Sequence, residues 1–150
     1  MSRDRDSNRE NPLLTLGELG QSPWLDFTTR DLIRSRRLHQ MASEDGVRGL
    51  TTNPTIFEKS IASGSIYDAD IIALAEAGFA ADEILERLMV AEVQEACDVF
   101  ADLYTSSMGQ NGFVSLEVSP LHAHDTASTV RHARHLWQVV GRKNLMVKIP

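Results

Sequence analysis

Along the chain, short apolar runs alternate with longer stretches in which apolar residues recur every three to four positions. The first run, residues 22–27 (SPWLDF), reads as a strand. Thr28 or Thr29 can cap a helix running to about residue 42, with Leu32, Ile33, Leu38 and Met41 as its apolar stripe. Glu44-Asp45-Gly46 marks a turn, and residues 47–52 read as a second strand closed by Asn53-Pro54. Helical pieces are expected around 55–60 and 66–76. A long amphipathic helix should follow over about 82–106, with Ile84, Leu85, Leu88, Val93, Ala96, Val99, Phe100 and Leu103 on one face. The loop Gly109-Gln110-Asn111-Gly112 leads into an alternating strand at 113–118 that ends at Ser119-Pro120. Asp125 or Thr126 can cap a helix to about Val140, buried through Ala133, Leu136, Trp137 and Val140. Residues 144–150 read as a fourth strand.

Helices between all successive strands imply parallel pairing, in either an open doubly wound sheet or a barrel. No G-x-G-x-x-G follows the first strand and no P-loop occurs, which favours a (β/α)8 TIM barrel. Such a barrel needs eight strands and about 250 residues. This chain is therefore expected to hold about the first four β/α units over residues 13–150, after a flexible polar arm at 1–12.

Composition narrows the classes. The chain of 150 residues is 42% hydrophobic and 24% charged, ordinary globular values. Its net charge of −6 gives no reason to expect nucleic acid or an anionic membrane as partner. The single cysteine, Cys97, cannot form an internal disulfide. The N-terminal residues lack the apolar segment of a signal peptide, and no stretch approaches the roughly 20 apolar residues of a membrane span. A soluble, cytoplasmic chain is expected.

Four polar residues stand at or just past the C-terminal ends of the strands: Asp26, Asn53, Glu117 and Lys148. In a parallel barrel those ends converge on one rim, where catalytic groups collect. Lys148, between Val147 and Ile149, is either an edge charge facing solvent or a desolvated amine in a pocket. Burial and a neighbouring cation lower an amine's pKa and free it to attack a carbonyl, forming an imine. A protonated imine is an electron sink, so an adjacent carbon–carbon bond can break. Asp26 is either the N-cap of the helix beginning near Thr29 or a general base that takes a hydroxyl proton as that bond breaks. Glu117 is either a surface glutamate or a carboxylate orienting the water of imine formation and hydrolysis. Asn53, before Pro54, suits a turn and also a clamp on substrate hydroxyls.

Other signals carry less. His122 and His124 lie in a loop and His132 and His135 on one helix, but no cysteine or second acidic cluster completes a zinc pattern. Cys97 reads as core rather than nucleophile, and Arg34, Arg36 and Arg37 as a solvated helix face.

The runs GLTTNPTIF at 49–57, SLEVSP at 115–120 with Asp125-Thr126 after it, and NLMVKIP at 144–150 resemble transaldolase. The chain resembles the N-terminal half of members of the bacterial subgroup that includes chains fused to a glucose-6-phosphate isomerase domain. The resemblance implies a class I aldolase barrel that moves a dihydroxyacetone unit from sedoheptulose 7-phosphate to glyceraldehyde 3-phosphate, giving erythrose 4-phosphate and fructose 6-phosphate. It implies Lys148 as the Schiff-base lysine, Asp26 as the acid/base aspartate, Glu117 as the residue positioning the catalytic water and Asn53 as a substrate contact. No metal or organic cofactor is implied. His122 departs from the pattern, where an apolar residue is expected. An aldolase acting on fructose 6-phosphate is the alternative chemistry. A chain of four units alone is expected to lack transfer activity and to associate with itself or with a partner half.

Overall fold

The structure, a computed structural model, describes residues 11–149. Most of the expected arm at 1–12 lies outside them. Asn11 and Pro12 do not continue it: the Asn11 side chain accepts from Leu13 N and caps helix α1 (Pro12–Glu18), which begins on the proline. Helix α1 is an element that the apolar pattern did not suggest.

Strand β1 is confined to Trp24–Leu25. The helix expected from 28 to 42 is two helices, α2 (Arg30–Arg34) and α3 (Arg37–Ser43). Thr29 caps α2 through its hydroxyl, so Asp26 is not the cap. The break falls at Arg36, whose φ of 64° is left-handed and ends the α-helical hydrogen bonding. Strand β2 (Gly49–Thr51) leads into α4 (Pro54–Ala62) and α5 (Asp68–Glu76). The long helix α6 (Ala81–Ser106) matches its predicted span closely, and its apolar period explains why. Strand β3 (Phe113–Glu117), a 3-10 turn (Pro120–His122), helix α7 (Thr126–Val140) capped by Asp125, and strand β4 (Leu145–Lys148) complete the order.

The four strands form one parallel sheet in the order β1-β2-β3-β4. One core lies between the helices and a single sheet face. It takes Leu50, Val114, Leu116 and Leu145 from the strands, Leu38 and Phe57 from α3 and α4, Val93, Cys97 and Phe100 from α6, and Leu136 and Val140 from α7. Trp137 does not join it; the indole is 49% exposed, because α7 has a second apolar stripe facing away from the sheet. Asn144 ties the layers together, its buried amide donating to Cys97 O and Gly112 O at 2.9 Å each.

The opposite sheet face is set by alternation. Gly49, Phe113, Thr51 and Ser115 share it by register, and the Ser115 hydroxyl donates to Thr51 Oγ1 at 2.8 Å. Trp24 lies flat against Gly49: a Cβ there would sit 2.6 Å from the indole and 2.9 Å from Phe113 O. Gly49→Ala is therefore expected to cost about 1–3 kcal/mol, as overpacked sites do, read as a lower urea midpoint. An unchanged midpoint would mean that the indole swings clear.

Candidate active site

Parallel pairing decides which rim residues meet. Glu117 is the register partner of Lys148, so both side chains leave the same sheet face on adjacent strands. They close into an ion pair, Lys148 Nζ to Glu117 Oε2 at 2.7 Å, with the side chains 38% and 16% exposed. The pair is partly exposed, Lys148 more than Glu117. An amine and a carboxylate at this distance can pass a proton directly, the step that carbinolamine formation and dehydration require.

The other two predicted residues share the rim without touching the pair. Asp26 directly follows β1 and is exposed; among the described residues it makes no hydrogen bond or ion pair. Asn53 is committed locally on one side, since its Oδ1 accepts from Ile56 N at 3.0 Å and caps α4. Its amide nitrogen makes no hydrogen bond among the described residues and can donate to a ligand above β2.

Two residues that sequence reasoning passed over form the floor. Thr51 and Ser115 lie one step below the rim on the site face, joined by their hydroxyls, and Met146 sits beside Ser115 in register. The alternation of Phe113, Ser115 and Glu117 was the available signal. Cys97 is excluded as a nucleophile: it is fully buried, and burial pushes its thiol up to about 12. Among the described residues no group of three or more His, Cys, Asp or Glu side chains could hold a metal ion. Arg34 and Arg37 pair with Glu95 and Asp45 on the surface.

The family model described as Transaldolase/Fructose-6-phosphate aldolase matches residues 23–150, most of the chain and all of the strand-end residues. The chain belongs to this transaldolase/fructose-6-phosphate aldolase family. It is 47% identical over 140 residues to "Transaldolase 2" of Nostoc punctiforme, covering 93% of this chain and 37% of that protein. It is 45% identical to "Transaldolase" of Trichodesmium erythraeum over the same shares. Identity to "Transaldolase" of Mycobacterium marinum is 42% over 142 residues, with 38% of that protein covered. The chain thus spans a little over a third of the length of these transaldolases. Within the family, its parallel sheet in sequence order is three consecutive β/α units and a fourth strand of a partial barrel. Among the described residues no helix is long and apolar enough to cross a membrane.

Proposed function

We propose that this chain supplies the imine-forming part of a transaldolase, and that the 2.7 Å contact between Lys148 and Glu117 is the observation that carries the reading. Lys148 Nζ attacks the ketone carbon of a ketose phosphate, and the carbonyl oxygen leaves as water. Glu117 takes the ammonium proton and returns it to the departing hydroxyl, directly or through one water. The protonated imine then draws electrons from the bond between the carbons α and β to it. As that bond breaks, Asp26 takes the proton of the β-hydroxyl, an aldehyde leaves and a three-carbon enamine stays on Lys148. An acceptor aldehyde adds to the enamine, Asp26 returns its proton, and water releases the new ketose. Asn53 donates its free amide to a substrate hydroxyl.

On this reading the donor is sedoheptulose 7-phosphate and the acceptor glyceraldehyde 3-phosphate, in the non-oxidative pentose phosphate pathway of the cytoplasm. The imine is the electron sink, so the step needs neither metal nor organic cofactor. The family description carries a second activity, in which the enamine takes a proton and the three-carbon unit is released as dihydroxyacetone.

The test uses a chimera in which the matched 140 residues of this chain replace their counterparts in the Nostoc punctiforme protein. Given fructose 6-phosphate, a transaldolase releases more than one equivalent of glyceraldehyde 3-phosphate only when erythrose 4-phosphate is added; acceptor-independent turnover with free dihydroxyacetone would decide for the aldolase. In the same chimera, Asp26→Asn is expected to lower transfer by roughly 10²–10⁴-fold, the usual worth of a general base, while leaving imine formation with Lys148 intact. Loss of both together would remove Asp26 from the cleavage step.

A further inference from the structure

Behind Glu117, α6 and α7 enclose a cleft of about 760 Å³ that runs from Pro54 past Leu116 and Glu117 to His132 and His135. His132 sits there with its side chain 17% exposed and both ring nitrogens engaged. Ser119 N–H donates to Nδ1 at 3.3 Å, and Nε2 meets Glu86 Oε2 at 3.0 Å. An accepting Nδ1 carries no proton, so the single ring proton is on Nε2 and is donated to the carboxylate. The second oxygen of Glu86 meets His135 Nε2 at 2.8 Å. Burial raises the Glu86 carboxyl, but hydrogen bonds from His135 and His132 outweigh it and hold the group below its ordinary range. The acceptor is therefore a carboxylate.

The backbone explains why this matters. After Glu117, Val118 N–H still bonds across the sheet, donating to Lys148 O at 3.0 Å, and Ser119 N–H turns out of it and donates to His132. Pro120, which follows, has no N–H. His132 thus makes the last side-chain hold on the segment from which Glu117 reaches Lys148.

We propose that His132 is a positioning residue for the imine-forming pair, fixing the Ser119 amide through Nδ1 and releasing it when the ring gains a second proton. The inference rests on the Schiff-base reading above. A proton on Nδ1 turns an acceptor into a donor that faces the Ser119 N–H, while the Nε2 contact to Glu86 persists. His135 on its own helix and His122 on the 3-10 turn, at 5.1 Å between ring centroids, pack against this ring, and Asp82, Glu83, Arg87 and Glu117 line the same cleft. None of them bonds Ser119 N–H, so the release is specific to His132.

Two substitutions in the chimera separate positioning from packing. Asn places an acceptor near the Nδ1 position but cannot gain a proton there; Gln reaches the Nε2 position and keeps the Glu86 contact without an acceptor for Ser119. At about pH 8, His132→Asn is expected to keep kcat within about twofold, since it retains an acceptor for Ser119 N–H. His132→Gln is expected to lower kcat by roughly three- to tenfold at unchanged KM, the worth of one net hydrogen bond. The activity of His132→Asn relative to the unsubstituted chimera should rise on acidification, because only the histidine can gain a proton at Nδ1. Equal kcat for the two variants, or a ratio flat with pH, overturns the proposal. If the unsubstituted chimera fails to form a reducible adduct with fructose 6-phosphate, the functional reading itself falls and this inference with it.

Discussion

Lys148→Arg is expected to abolish transfer in the chimera, by at least about a thousandfold, because it removes the covalent nucleophile. Arginine keeps the positive charge opposite Glu117, so the ion pair and the β3–β4 register can survive. Its guanidinium cannot form an imine at any accessible pH, since it stays protonated. The comparison therefore separates nucleophilicity from charge: an unfolding midpoint near that of the unsubstituted protein, together with absent product, is the expected pair of results. Retained transfer would show that the lysine acts only electrostatically. Lys148→Ala cannot make this separation, because it removes charge and nucleophile together.

The second large effect concerns stability. Arg30 and Glu92 are buried, at 3% and 1% side-chain exposure, and are 62 residues apart in sequence. Arg30 Nε donates to Glu92 Oε1 at 3.3 Å, and Nη1 donates to Asp70 Oδ2 at 2.6 Å and Ile66 O at 3.1 Å. The guanidinium also lies 4.3 Å from the centre of the Tyr67 ring. One cation thus holds α2, α5 and α6 together. Even with this partner, burial holds the Glu92 carboxyl above its ordinary 4.5, against the lowering effects of Tyr67 and Arg30, and its Oε2 has no partner among the described residues. Arg30→Met leaves that carboxylate buried and unpaired, at an expected cost of about 3–5 kcal/mol near neutral pH.

The sign of the pH dependence follows from the direction of the shift. A carboxyl whose pKa is raised by folding destabilises the fold once it must ionise, so the cost grows as pH rises above 4.5 and shrinks on acidification. Chemical denaturation of Arg30→Met at two pH values should show the deficit narrowing at the lower one. Adding Glu92→Leu should restore most of the loss at neutral pH, since an apolar pair of similar volume removes the stranded charge. A double variant as unstable as the single would place the cost in the contacts to Asp70 and Ile66 instead.

Much of the fold was legible because hydrophobic period is a local property. Helix α6 repeats its apolar positions over its whole length, and β3 alternates cleanly before Ser119-Pro120. The break between α2 and α3 was not legible, because Ser35-Arg36 contains neither glycine nor proline and an arginine at φ 64° gives no compositional sign. Trp137 was misplaced for a related reason. Period shows that α7 has an apolar stripe but not which of two adjacent stripes meets the sheet.

At the candidate site, Asp26, Asn53, Glu117 and Lys148 were suggested by their places at strand ends. That Glu117 and Lys148 touch required the register, which couples residues through β3–β4 pairing. That Asn53 spends its carbonyl oxygen on Ile56 required the cap geometry. The Arg30–Glu92 pair and the His132–Ser119 bond link distant segments by polar contacts, and polar contacts leave no periodic trace in sequence.

Imine formation at Lys148 is read out by borohydride trapping. The chimera is incubated with fructose 6-phosphate, reduced with borohydride, digested and mapped by mass spectrometry. A single reduced dihydroxyacetone adduct is expected on the peptide containing Lys148, absent without sugar and absent in Lys148→Arg. An active chimera with no adduct, or with the adduct on another lysine, would contradict imine formation at Lys148.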